Sequence, residues 1–253
     1  MTHQKEINLN HKIVALILLG LSFTPPTQAA LVARGTDMVY DTVNNITWAA
    51  DANLFQTQAA SNPNLISQII SANGGVIHET PNRVDPNGIY GLTAADFNAS
   101  NGLMTWWGAQ AWANNLRLGG YTDWKLPTTE VASIDMLTGY VATSQLGDLF
   151  YNQLGGVGDI RISVIHNADY NLFYNVQDYS YWLSSEYSAS QEDAWFFNTF
   201  YGYQSIASKG GYQLAAWAVR MGDVAAVPLP GTVWLFLSGL IGFMGFKSRG
   251  SIG

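Results

Sequence analysis

The chain has 253 residues and carries 18 acidic against 11 basic side chains, a formal net charge of −7, with no cysteine. The absence of thiols excludes cysteine nucleophiles, thiolate metal centres, iron–sulfur clusters and disulfides. The acidic excess sits between Leu31 and Ala226, where seventeen acidic residues face seven basic ones; such a surface repels phosphate backbones, so nucleic acid is not an expected partner.

At the N-terminus Lys5 and Lys12 precede an apolar run from Ile13 to Phe23, and Thr24-Pro25-Pro26-Thr27-Gln28-Ala29-Ala30 supplies helix breakers and small residues. This three-part plan predicts a secretory signal over 1–30, cleaved after Ala29 or Ala30. Eleven residues are too few to cross a hydrocarbon core of about 30 Å as a helix. The alternative, a buried core helix, has to bury Lys12 beside the run.

Residues 31–226 are enough for one domain with its own core. From Met38 to Trp48 the sequence alternates around Asn44-Asn45, which predicts a hairpin with a two-residue turn. From Gln56 to Phe97 it is polar and rich in Asn, Gly and Pro, with one helix expected over 64–72. This stretch reads as a surface insertion with the Asp85-Pro86-Asn87-Gly88 turn at its tip. Thr105 is placed to cap a helix from Trp106 to about Leu116, with Trp112 and Leu116 four apart on one face.

After the Gly119-Gly120 turn, Leu126-Pro127 leads into a second helix from Thr128 through Val131, Ile134 and Leu137, and a third, shorter one is expected over 143–154. Beyond Gly158 the pattern is β, with strands expected over 160–165, 171–176, 181–184, 194–200, 203–207 and 214–221. Helices early and strands late argue for an α+β fold, two or three helices packed on short, mostly antiparallel strands. Eight tryptophans lie between Leu31 and Ala226. Each can bury about 150–250 Å², the available means of stabilising an exported domain that has no disulfides.

The chain closes with Val227-Pro228-Leu229-Pro230-Gly231, an apolar run to Phe246, then Lys247, Ser248 and Arg249. A Pro-rich hinge, an apolar helix and a basic end are what a chain needs to pause in a membrane with its terminus inside, since positive charge resists translocation. A core helix is the alternative; against it stand the lack of an amphipathic face and the abrupt basic end. The segment 227–253 resembles the PEP-CTERM sorting signal of Gram-negative bacteria, with Leu229 where the common motif has Glu. The resemblance implies an exosortase-type processing enzyme as partner. It also implies export, transient membrane anchorage through the C-terminal segment, and delivery to the cell surface or extracellular matrix.

Four pieces recur in order between Val39 and Gly222. They are Asp41-x6-Trp48; Trp112-Ala113-x2-Leu116 with Gly119-Gly120-Tyr121-x-Asp123-Trp124-Lys125-Leu126-Pro127-Thr128; Tyr181-Trp182-x-Ser184-Ser185-Glu186-Tyr187 with Ala194-Trp195; and Ala218-Val219-Arg220. Together they resemble the domain of unknown function at the C-terminus of the collagen-like adhesin Lcl. The resemblance implies a C-type-lectin-like fold, related to formylglycine-generating enzymes, and an extracellular binding role. Many members carry Cys where Ala113 and Ala218 stand here, which implies a disulfide between the first helix and the last strand that this chain has exchanged for packing.

Alternation over 181–186 puts Trp182, Ser184 and Glu186 on one strand face and Tyr181, Leu183 and Ser185 on the other. An indole, a hydroxyl and a carboxylate on one surface are groups that bind sugar, and Trp124 in the Trp124-Lys125-Leu126-Pro127 run is a further candidate. The structural alternative is that Trp182 packs in the core while Glu186 pairs with Arg220 or caps the helix at Thr128. His78 and His166 are the histidines after the signal and form no His-x-x-x-His pair, so no metal and no cofactor is expected. Asp85-x-Asn87-Gly88 resembles part of an EF-hand loop, but Arg83 and Ala94 stand where its first Asp and closing Glu belong, so it reads as a turn. No phosphate loop, dinucleotide fingerprint or nucleophile elbow is present. The expected function is a non-enzymatic surface or biofilm-matrix protein with an adhesive or glycan-binding domain. Two alternatives remain: an enzyme using Glu186, Glu192 or Asp193 on extracellular polysaccharide, and a purely structural exoprotein.

Overall fold

The structure, a computed structural model, describes residues 30–129 and 139–224. The signal segment up to Ala29, the second helix expected through Val131, Ile134 and Leu137, and the tail from Val227 to Arg249 lie outside them. Among the described residues no helix is long and apolar enough to cross a membrane.

Strands β1 (Leu31–Arg34), β2 (Met38–Asp41) and β3 (Ile46–Ala49) form an antiparallel meander, and β3 pairs on its other side with the last strand, Val219–Met221. The hairpin expected from alternation is therefore present, but Asp41 opposes Ile46, so its loop is four residues, not two. Asp41 sets that loop: its Oδ1 accepts from the amides of Val43 and Asn44, both at 2.9 Å, and Asn45 turns through φ 52°. An aspartate accepting from its own following amides is the usual side-chain substitute for a backbone turn.

Helices α1 (Leu54–Ser61) and α2 (Leu65–Ala72) follow, then the hairpin β4 (Val76–His78) and β5 (Ile89–Gly91). Between these strands the Asp85–Gly88 turn closes as expected, Gly88 N donating to Asp85 O at 2.9 Å. The insertion is not confined to the surface: Ile69, Ile77, Leu92 and Phe97 are buried and join the core. A short pair, β6 (Phe97–Asn98) and β7 (Leu103–Met104), leads into α3 (Trp106–Asn115). Thr105 caps α3 as read from sequence, its Oγ1 accepting from Gly108 N at 3.2 Å.

The third expected helix is a single α turn, Gln145–Asp148, that widens into a π turn over Leu149–Gln153. Strands expected over 160–165 and 171–176 are absent. Arg161 O instead accepts from the amides of Val164 and Ile165, and Ala168–Leu172 is a 3-10 turn. Only Ile162 of the first run is buried, while Val164 is 65% exposed, so the run's apolar composition does not reflect a strand face.

The remaining strands β8 (Ser180–Glu186), β9 (Asp193–Asn198) and β10 (Tyr203–Ser208) form a second antiparallel sheet in the order β10-β9-β8. The final strand, β11, is only Val219–Met221; Leu214 and Ala215 upstream make isolated bridges to Met104 and Tyr181. The fold is α+β with short antiparallel strands.

Six indoles, Trp48, Trp112, Trp124, Trp182, Trp195 and Trp217, are buried to 2% exposure or less. Trp217 is a hub: its ring lies 5.4 Å from Trp48, 5.1 Å from Phe173 and 5.5 Å from Tyr181, and its N–H donates to Ala49 O at 2.7 Å. Each indole withdraws about 150–250 Å² from water, a gross gain of roughly 4–6 kcal/mol before entropy, comparable to the roughly 2–5 kcal/mol of a lost disulfide. Ala113 and Ala218 are both fully buried in this core.

Candidate functional site

The residues singled out on β8 are separated by the fold. A register irregularity lies between Trp182, opposite Phe196, and Glu186, opposite Ala194, so simple alternation does not carry across it. Trp182 is at 0% exposure and its indole N–H donates to Met104 O at 2.9 Å. Ser184 is half-buried, its amide donating to Pro127 O at 2.7 Å. Glu186 ends the strand, and its Oε1 accepts from Thr80 N at 3.1 Å.

Trp124, at 2% exposure, donates to Leu118 O at 3.3 Å. Beside it, Arg220 makes a bidentate contact with Asp123, 2.8 and 3.0 Å, and stacks over Tyr121 with its carbon 4.0 Å from the ring centre. Lys125 and Val219 exchange both backbone bonds at 2.8 Å. The Gly-Gly-Tyr-x-Asp-Trp motif is therefore one jaw of a clasp on the last strand. Arg220's hydrogen bonds hold the Asp123 carboxyl below the usual range.

The cation that Glu186 meets is Lys209, not Arg220. Lys209 follows β10 and is completely buried; Nζ lies 2.5 Å from Glu79 Oε2, 3.4 Å from Glu186 Oε1 and 4.6 Å from the centre of the Trp106 ring. Backbone bonds fix it on both sides, Lys209 N donating to Glu192 O and Trp106 N to Lys209 O, each at 3.0 Å. Glu79 comes from the end of β4, so the insertion hairpin seals this ion from water. Asn82 Nδ2 donates to Glu79 Oε1 at 3.1 Å. Asp85 Oδ2 is buried with no donor to accept from; burial first, and the neighbouring Glu79 carboxyl second, hold the Asp85 carboxyl above the usual range. Sequence reading missed Lys209, because Ser208-Lys209-Gly210-Gly211 reads as an exposed turn.

A concavity of about 320 Å³ opens beside this cluster between β4 and α3. Its polar walls are largely engaged: Asn73 donates to Ile69 O and Ala111 O, Gln110 to Ser184 O, and Trp106 to Leu183 O. His78 and Asn114 complete its polar lining. Among the described residues no three His, Asp or Glu side chains are placed to hold a metal ion.

The open chemistry lies at the β9–β10 turn. Tyr201 is 45% and Tyr140 is 56% exposed. Tyr201 packs edge-on to Phe200 at 4.5 Å and lies 6.1 Å from Tyr203. Tyr140 lies over Gly158, where a Cβ would come 2.8 Å from its ring, and its hydroxyl donates to Asp159. The Asp159 amide donates to Tyr201 O at 2.8 Å, tying both tyrosines to one loop. Arg161 lies 4.6 Å from the centre of the Phe200 ring. The result is an aromatic tip with a carboxylate and a guanidinium at its edge.

Residues 37–220 match the family described as the Lcl C-terminal domain. Comparison with curated proteins finds no match, and comparison with solved structures finds none.

Proposed function

The chain belongs to the Lcl C-terminal domain family, and from that premise we propose an exported surface or biofilm-matrix protein whose domain, C-type-lectin-like in architecture, binds extracellular polysaccharide without transforming it. The observation that carries this reading is the aromatic tip. Exposed rings braced by hydrogen bonds and edged with charged groups suit the apolar faces and hydroxyl edges of sugars. The domain's excess of acidic over basic residues selects neutral over polyanionic chains.

Hydrolysis is less well served. A general acid needs a raised pKa, whereas Arg83 holds the Glu192 carboxyl below its usual range by a 2.9 Å hydrogen bond, and Glu186 already faces Lys209. The sorting reading rests on Val227, Pro228, Leu229, Pro230, Lys247 and Arg249, with an exosortase-type enzyme as processing partner and the membrane engaged through that tail.

A glycan array probed with the mature protein tests the binding reading. Retention of neutral polysaccharides, reduced at least about tenfold (1.4 kcal/mol) by Tyr201→Ala with the thermal melt unchanged, is the expected result. Release of shorter sugars from a retained polymer transfers the domain to the enzymes. Failure to retain any neutral glycan leaves the tip without its proposed ligand.

A further inference from the structure

The side chains of Lys209 and Glu79 are both completely buried, and each is chemically able to react with the other. Nζ touches Glu79 Oε2 at 2.5 Å, Glu186 Oε1 stands 3.4 Å from the same nitrogen, and Asn82 Nδ2 donates to Glu79 Oε1 at 3.1 Å. The ring of Trp106 covers the nitrogen, 4.6 Å from it to the centroid. A nucleophile, a carboxyl electrophile, a base next to the nucleophile and a donor on the carbonyl oxygen thus converge in a water-poor pocket. Asp85, its Oδ2 buried without a donor, has its carboxyl held above the usual range by burial and by the Glu79 carboxyl, which suits it to act as an acid.

We propose that Lys209 and Glu79 condense into an intramolecular isopeptide bond that fastens the insertion hairpin to the end of β10. The bond formed is Nζ–Cδ and the bond broken is Cδ–Oε2. The two protons shed by the ammonium leave with Oε2 as water. Glu186 carries them from the nitrogen; Asp85 lends a proton to the Glu79 carboxyl and regains it, so neither acid is consumed. Asn82 stabilises the charge that develops on Oε1, the part that a preorganised donor plays at a tetrahedral centre.

Two physical terms favour the step. Holding the reactants in contact replaces a bimolecular encounter by an intramolecular one, worth an effective concentration on the order of 10⁵–10⁸ M in well-oriented cases. Condensation also replaces two buried ions, costly in a low-dielectric interior, by one neutral amide. The cross-link spans 130 residues and constrains the unfolded chain as a disulfide would, in a sequence that has no cysteine to make one.

A tryptic map of the denatured, unmodified protein decides the matter. Cleavage at Arg34, Arg83, Arg161 and Arg220 with none at Lys209 gives residues 35–83 joined to residues 162–220, lighter by one water than the two together. Linear peptides 162–209 and 210–220 accounting for all the material overturn the proposal. A looped 162–220 peptide with its own water loss places the bond on Glu186 and overturns the assignment to Glu79. In Lys209→Arg the branched peptide is expected to vanish, and in Glu186→Gln to accumulate more slowly after refolding; should either variant fail to fold, the map of the unmodified protein stands alone as the test.

Discussion

Replacing Trp124 by alanine separates a structural from a ligand-contacting role for the most recognisable motif in the chain. The ring is 2% exposed. Deleting a buried indole costs about 3–5 kcal/mol, and its hydrogen bond to Leu118 O, long at 3.3 Å, contributes at the low end of the usual roughly 0.5–1.5 kcal/mol. In a domain of this size each kcal/mol moves the melting temperature by about 2–4 °C, so Trp124→Ala is expected to melt roughly 6–20 °C lower. Trp124→Phe retains most of the packing and is expected to cost only about 1–2 kcal/mol. Thermal melts of the mature protein, followed by circular dichroism, with glycan retention measured alongside, supply both readouts. A melt unchanged within error, with retention lost, refutes the core assignment and makes Trp124 a contact residue.

Acid should weaken the clasp. Arg220 lowers the Asp123 carboxyl and Arg34 lowers that of Asp223, each chiefly through its hydrogen bonds, from an ordinary value of 3.8. With folded pKa values depressed, their stabilisation is complete above pH 3.8 and is lost as pH falls through the folded values. Melts taken from neutral pH downward are expected to hold level on this account until about pH 4 and then decline, with a shallower decline in Asp123→Asn; an unchanged slope in that variant refutes the assignment. For the tail, mass spectrometry of the protein recovered from the producing cell is expected to find a C-terminus upstream of Lys247. An intact Gly253 on freely secreted protein sinks the sorting reading.

What was legible in the sequence was what local chemistry encodes. Asp41 and Trp48 mark a hairpin because the aspartate builds the turn with its own neighbours, and Thr105 marks a helix start because the cap is three residues from its donor. Strands β8 and β9 show as aromatic-rich apolar runs, because Ser180–Leu183 and Ala194–Asn198 are buried on both faces. Helix α1 was missed because Leu54 and Phe55 are its only buried residues, leaving no apolar stripe to count. The run from Ile160 to Ile165 misled for the converse reason, β-branched residues placed in turns.

Lys209 carries no local signal at all. Its burial is made possible by Glu79, a partner 130 positions away, and no periodicity links the two. Of the two structural roles read for Glu186, pairing with Arg220 fails similarly, since Asp123 already holds Arg220 in a planar, two-bond geometry suited to guanidinium. The Gly-Gly-Tyr-x-Asp-Trp run was readable as a family mark without its role being readable; the role emerges only with Arg220 in place.

The four-stranded sheet has a mechanical consequence. Ala30 O accepts from Thr42 N at 2.8 Å and Gly222 N donates to Asn45 O at 2.7 Å, so both ends of the described fold leave beside one four-residue loop. Tension applied between those ends pulls across the strands and opens their hydrogen bonds one after another, without first loading α3 or the second sheet. The bidentate contact of Arg34 with Asp223, 2.7 Å at each oxygen, ties the segment leaving β11 to the far end of β1 and shares that load. A fold joined at neighbouring points can be spliced into a fibre or hung from a surface as a side pendant, leaving the rest of its body outside the line of force.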